Sequence, residues 1–158
     1  MPDMFRIERS ILVDAPPEAV YPHVADFRRW RHWSPYEDLD PNLQRSYSGA
    51  AAGTGAVYEW SGNAKAGAGR MEIVETDEAS RIRIQLDFSK PFRASNKATF
   101  TFAPEGGGTR VTWRMTGVKS LGFKVAGLFT SMDQMIGGAF EKGLAKLKAE
   151  VKSAPPAG

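Results

Sequence analysis

LGFKVAGLFTSMDQMIGGAFEKGLAKLKAEV, Leu121–Val151, is the stretch whose reading decides the fold. Phe129, Met132, Ile136, Phe140, Leu144, Leu147 and Val151 recur at steps of three and four, the spacing of one helical face. At about 1.5 Å per residue such a helix is roughly 46 Å long, enough to cross a small domain. Asp133 falls at the edge of the apolar stripe, beside Phe129, Ile136 and Phe140, while Lys124 and Lys142 fall on the far side. Gly127, Gly137, Gly138 and Gly143 each cost about 1 kcal/mol against alanine inside a helix. Close approach by another element, or a bend, is expected to compensate.

Before this helix the pattern changes to period two. Ser80–Phe88 is the clearest case, with Ile82, Ile84, Leu86 and Phe88 facing one way and Arg81, Arg83, Gln85 and Asp87 the other. Such alternation marks antiparallel strands with one buried and one wet face. Similar runs cover Phe5–Asp14, Gln44–Ser48, Ala56–Ser61, Gly69–Thr76, Ser95–Ala103 and Thr109–Thr116. The glycines of Pro104–Gly108 are free to take positive φ and make a hairpin connection. After the first strand, Asp14 is expected to cap a short helix carrying Val20, Val24 and Phe27 inward, with Pro22 keeping it brief. FRRWRHW, Phe27–Trp33, follows as a second short helix or turn, and Pro35 and Pro41 bracket a loop. An antiparallel sheet of seven strands cannot bury its inner face alone. The expected architecture is therefore α+β, a curved seven-stranded sheet wrapped around the long C-terminal helix, with two short helices after the first strand.

Composition narrows the function classes. The chain has 158 residues, 42% hydrophobic and 25% charged, so residues 1–152 are expected to form a single domain, with 153–158 a disordered tail. With no cysteine, disulfides, thiolate metal sites and cysteine nucleophiles are excluded. The net charge is +3 with interspersed signs. Lys142, Lys146, Lys148 and Lys152 could form a patch for nucleic acid or lipid headgroups, but Glu141 and Glu150 are interleaved with them as on a solvated helix face, so no nucleic-acid partner is expected. No run of about 18 apolar residues exists to insert stably in a membrane, and no leader precedes the first strand, so a cytoplasmic protein is expected.

Four stretches together resemble a known group: ILVDAPPEAVYPHVADFRRWRHWSPYEDLDP, GAVYEWSGNAKAGAGRMEIVE, GTRVTWRMTG and MDQMIGGAFEKGLAKLK. They are similar to the START-like helix-grip (SRPBCC) superfamily and, within it, to polyketide cyclase/dehydrase-type proteins, over about residues 4–152. The resemblance implies a sheet gripping the last helix with an apolar cavity between them. It implies far less about activity, because folds host many functions.

The inward residues of the sheet are large: Trp60, Met71, Ile84, Leu86, Phe88, Phe100, Trp113 and Met115. Phe129, Met132, Met135, Ile136 and Phe140 are expected to face them from the helix. They either fill a solid core or line a pocket, since small-molecule sites are mostly apolar with few polar groups. The expected ligand is a lipid, polyketide or aromatic compound. The alternative is an enzyme of the cyclase or dehydratase type, for which Asp133, His32, Tyr58 and Asn96 are the candidate polar groups. The histidines are His23 and His32, and neither stands in a triad or metal-ligand spacing, so no metal and no cofactor is expected. Trp30 and Trp33 are expected to pin the short helices to the sheet. A third reading, contact with a membrane or a protein, would use Leu121–Phe123 and Leu128–Phe129 as an exposed apolar entry to the helix. Oligomeric state has no signature.

Overall fold

The structure is a computed structural model that describes residues 4–37, 39–63, 66–90, 93–118 and 128–153. Among these, seven strands follow in order: β1 (Met4–Val13), β2 (Gln44–Gly49), β3 (Ala56–Ser61), β4 (Ala68–Asp77), β5 (Arg81–Lys90), β6 (Ala94–Glu105) and β7 (Gly108–Val118). Helix α1 (Pro17–Ala25) and a 3-10 helix (Phe27–His32) stand between β1 and β2, and helix α2 (Leu128–Ser153) ends the chain. The strands make one antiparallel sheet in the spatial order β1-β7-β6-β5-β4-β3-β2. From β2 to β7 each strand pairs with the next, and β1 closes the far side on β7. Register shifts between Ala68 and Gly69 and between Ile73 and Glu75 interrupt the β4–β5 ladder. Such irregularities bend and twist a strand and help a sheet to curve.

Local chemistry explains the elements. In β5 the alternation holds over Ile82, Arg83 and Ile84, buried, exposed and buried, whereas Gln85, Leu86, Asp87 and Phe88 are all half-buried. The β6–β7 turn is the two residues Gly106 and Gly107, with φ of 56° and 83°. Both central residues of a primed hairpin turn need positive φ, and glycine takes it without steric cost. At the start of α1 the expectation fails in detail. The N-cap is Pro16, without a side-chain hydrogen bond, and Asp14 lies outside the helix. The two prolines set the entry: Pro17 occupies the first helical position, where a missing N–H costs nothing.

In α2, Phe140, Leu144, Leu147 and Val151 are buried, as the periodicity predicts. Met135, expected to face the sheet, is 72% exposed. At about 100° per residue it stands roughly 140° around the helix from Phe140, outside the stripe. Residues 121–127, the tail 154–158, and the side chains of residues 128–133 lie outside the described residues. That covers the apolar entry Leu121–Phe123 and Leu128–Phe129.

The segment Phe27–Trp33 packs inward through its rings. Trp30 Nε1 donates to the Val24 carbonyl at 2.8 Å and Trp33 Nε1 to the His23 carbonyl at 2.9 Å. Both indoles can therefore be buried with their N–H groups satisfied. Their rings lie edge-on to Phe100 and Trp113, so the tryptophans do tie the short helices to the sheet. Trp113 also stacks on Phe140 of α2, with centroids 3.9 Å apart and planes within 7°.

The helix glycines separate into two kinds. A β-carbon on Gly143 would sit 2.7 Å from Pro35 Cδ and 3.2 Å from Trp113 Cζ3, so the close approach expected of a helix glycine occurs there. One on Gly137 would collide with the Arg9 guanidinium, a group that can swing aside, and one on Gly138 would meet nothing within 4 Å. Gly138→Ala is expected to stabilise the fold by about 0.5–1 kcal/mol through helix propensity. Gly143→Ala is expected to destabilise it by about 1–2 kcal/mol, because a proline ring and an indole cannot move away cheaply. Urea unfolding of both variants reads the opposite signs.

His23 supplies a pH dependence. Burial, helped by the nearby Arg29 cation and opposed by Glu150, holds its imidazole below its ordinary value near 6.5. The unfolded chain therefore takes up a proton near pH 6.5 while the folded chain resists it. Stability is full above that value and is lost as pH falls through the depressed folded value. The Tm is expected to fall between pH 7.5 and 5.5 more steeply in the native chain than in His23→Gln; equal slopes in a calorimeter would refute this.

Candidate functional site

The ladder registers arrange the concave side chains in rows that run across the sheet. One row reads Ile7, Met115, Ala98, Ile84 and Ile73, from β1 to β4. Every member is at most 7% exposed, a dry core. The next row reads Phe5, Gly117, Asn96, Leu86, Met71, Tyr58 and Tyr47, from one edge of the sheet to the other. A third reads Ala94, Phe88, Gly69, Trp60 and Arg45. In these two rows Leu86, Met71, Phe88 and Trp60 are only half-buried. The concave face is thus closed over one part and partly open over β3, β4 and β5.

Trp60 spans that open part. Its ring covers Gly69, where a β-carbon would fall 2.5 Å from Trp60 Cη2. It stands edge-on to Phe88 at 5.7 Å, and its Nε1 donates to the Ala66 carbonyl at 2.9 Å. A flat, fixed apolar wall results, made possible by the absence of a side chain at position 69.

At the β2 end of the middle row lies a polar cluster. Glu37, from the loop that follows the 3-10 helix, is 7% exposed. The Tyr58 hydroxyl donates to its carboxylate at 3.2 Å, and Arg45 Nε donates to Oε2 at 2.8 Å. Arg45 Nη2 also donates to the Glu37 carbonyl at 3.3 Å. Tyr47 packs on Tyr58 with centroids 5.3 Å apart, and the Arg28 guanidinium stands 4.8 Å from the centre of the Tyr47 ring. The Tyr47 hydroxyl is buried and has no hydrogen-bond partner among the described residues. Burial, and then the Glu37 carboxylate, push the Tyr58 hydroxyl above its ordinary value, and both act in the same direction on Tyr47. Both phenols therefore keep their protons at neutral pH and remain hydrogen-bond donors.

The residues expected from sequence fall into three groups. Ile84, Phe100, Trp113, Met115 and Phe140 lie in the dry core. Trp60, Met71, Leu86, Phe88 and Ile136 are half-buried, the first four together on the open part of the face. Phe129, Met132 and Asp133 have side chains outside the described residues. Of the other polar candidates, Asn96 is buried in the middle row, its Oδ1 occupying the space beside Gly117. His32 is exposed on the 3-10 helix, and the half-open rows contain neither histidine. No group of three or more metal-binding side chains occurs among the described residues. Sequence reasoning missed Glu37, Arg45 and Tyr47. Arg45 and Tyr47 carried a usable signal, two residues apart on a short strand and hence on one face; Glu37 carried none, since its partners lie 8 and 21 residues away.

The profile of the family described as polyketide cyclase/dehydrase and lipid transport matches residues 4–152. The chain belongs to that family. Among curated proteins, none matches it. Solved structures share the fold at low identity. Protein CV1439 from Chromobacterium violaceum is 20% identical with a TM-score of 0.63, covering 98% of this chain and 100% of its own. Ara h 8.0201 is 16% identical with a TM-score of 0.64, over 96% and 100%. DynU16, from the dynemicin biosynthetic locus, is 16% identical with a TM-score of 0.63; the match takes 96% of this chain and 48% of DynU16. The sheet with its short helices and final helix is thus the helix-grip arrangement of the polyketide cyclase/dehydrase and lipid transport family. No described helix is long and apolar enough to cross a membrane.

The ion pair at the end of the middle row can be tested directly. Arg45→Met leaves the Glu37 carboxylate buried without its cation and is expected to cost about 2–3 kcal/mol, since a lone buried charge is worse than none. The double variant Arg45→Met with Glu37→Gln is expected to be more stable than the single one. Urea unfolding of both variants and of Glu37→Gln completes a double-mutant cycle, in which additive effects would contradict the pairing.

Proposed function

We propose that the chain binds a hydrophobic small molecule, a lipid, polyketide or aromatic compound, between the half-open part of the concave sheet face and α2. The observation that carries this reading is the contrast between rows. Ile84 and Ile73 are sealed, whereas Trp60, Met71, Leu86 and Phe88, on neighbouring positions of the same face, are not. Covering apolar surface is worth about 25 cal/mol per Å², so a ligand spread over four such side chains has a sufficient driving force without a specific contact. Membership of a family described by polyketide and lipid chemistry supports the same class of ligand.

A second reading, a cyclase or dehydratase, has one observation in its favour. A buried carboxylate and a phenol, Glu37 and Tyr58, are hydrogen-bonded at the end of the row that bears Met71 and Leu86. The binding reading leads because both Glu37 oxygens already accept hydrogen bonds, Oε2 from Arg45 and Oε1 from Tyr58. A base so engaged has little capacity left for a substrate proton.

The test is native mass spectrometry of protein purified from its own host, with organic extraction of what travels with it. Tryptophan fluorescence during titration with decan-1-ol accompanies it. A co-purifying apolar compound, or saturable quenching by decan-1-ol that Leu86→Trp weakens at least tenfold, is the expected result. An empty protein that also fails to bind decan-1-ol would overturn the reading.

A further inference from the structure

The polar cluster at the β2 edge carries a charge pattern that the binding of an apolar body leaves unused. Arg28, Arg31 and Arg45 all act electrostatically on the Tyr47 hydroxyl, against one acid among the described residues, Glu37. Arg45 is taken by Glu37 at 2.8 Å. Asp26, the acid nearest in sequence to the 3-10 helix, accepts from the Arg28 backbone N–H and faces Arg29 at 3.8 Å. Among the described residues no carboxylate lies within salt-bridge distance of the Arg28 or Arg31 guanidinium. Arg28 therefore stands against the Tyr47 ring and Arg31 lies in the same neighbourhood, both exposed, beside a buried hydroxyl that has no partner among the described residues.

We infer that the bound molecule is an amphipathic carboxylate, its apolar body over Met71 and Leu86 and its carboxylate at Tyr47, on the side of Arg28 and Arg31. The inference deepens the hydrophobic-ligand reading and rests on it. Three arguments support it. An orphaned buried O–H is costly, and an acceptor brought by the ligand removes that cost. A carboxylate is the strong acceptor for a phenol and a guanidinium together, and charge-assisted bonds of this kind are the stronger ones. Arginine cations also decide the sign, because an ammonium end would face Arg28 and Arg31 with Arg45 behind them.

The register fits such a molecule. Tyr47, Tyr58, Met71 and Leu86 are successive members of one row, so three strand spacings separate Tyr47 from Leu86. At about 4.8 Å each this is roughly 14 Å, the scale of a medium-length chain or a fused ring system. Glu37, the charge that would repel a carboxylate, is held back by Arg45 and by the Tyr58 hydroxyl.

The experiment is isothermal titration calorimetry of the full chain at pH 7.5 and low salt with a matched pair of probes, decanoate and decan-1-ol. Decanoate is expected to bind at least tenfold more tightly. Arg28→Gln with Arg31→Gln is expected to weaken decanoate at least fivefold and leave decan-1-ol unchanged, and Tyr47→Phe to weaken decanoate at least fivefold and decan-1-ol less. Both arginines are exposed, so that variant is expected to fold. Equal affinity for the two probes, or variants that weaken both equally or neither, would overturn the carboxylate assignment while the apolar site stood. Binding of neither probe would overturn the apolar site and the assignment together.

Discussion

The contact between Trp113 and Phe140 joins the three parts of this fold. The rings are parallel within 7° and only 3.9 Å apart, closer than the offset or edge-on pairs that ring electrostatics favours. Burial and dispersion hold them, because both are excluded from water from every side: Trp113 is 3% exposed and Phe140 1%. Phe100 also stacks on the indole, at 4.9 Å, and Trp30, Trp33 and Tyr36 make T-shaped pairs with it. A residue of β7 is thereby fixed by α2, by β6 and by the segment after α1. Gly143 belongs to the same constraint, since it lets Pro35 and Trp113 reach the helix surface.

Anchoring the helix there has a consequence for the rest of the concave face. α2, with Phe140, Leu144, Leu147 and Val151 buried, packs on β1 and through Phe140 on Trp113 of β7, and α1, with Val20 and Val24 buried, packs on β6 and β7. These elements leave β3, β4 and β5 less covered, and the half-buried Trp60, Met71, Leu86 and Phe88 stand there. The difference between solid core and half-open face follows from where the described helices are attached. It does not follow from a difference in side-chain type, for the sealed rows hold the same kinds of residue.

That is why the sequence revealed the sheet better than the site. Alternation in Ile82–Phe88 and the three-and-four spacing in α2 are local patterns, and the strands and buried stripe follow them closely. Whether an inward residue is sealed or half-open depends on packing between distant elements, so Ile84 and Leu86, two positions apart on one strand, read identically in sequence. Met135 shows the limit of loose helical reading: it is apolar, but its angle places it outside the stripe and in water. Glu37 shows another limit. In the sequence it is one acid in a loop between two prolines, and only the fold brings it to Tyr58 and Arg45.

The Glu37 cluster is also a poor device for stability, which bears on what it is for. A buried ion pair must first offset the cost of taking two charges out of water, and apolar replacements of similar shape are often no worse. Here the cost is increased by a second phenol, Tyr47, whose hydroxyl is buried without a partner among the described residues. A core made only to be stable would fill this end of the row with the leucines and phenylalanines found elsewhere on the face. Fixed donors at the end of an apolar row do something that such a core cannot do. On the proposed reading they would give an otherwise slippery surface a direction, so that a long molecule lying across the strands would have one end that fits and one that does not.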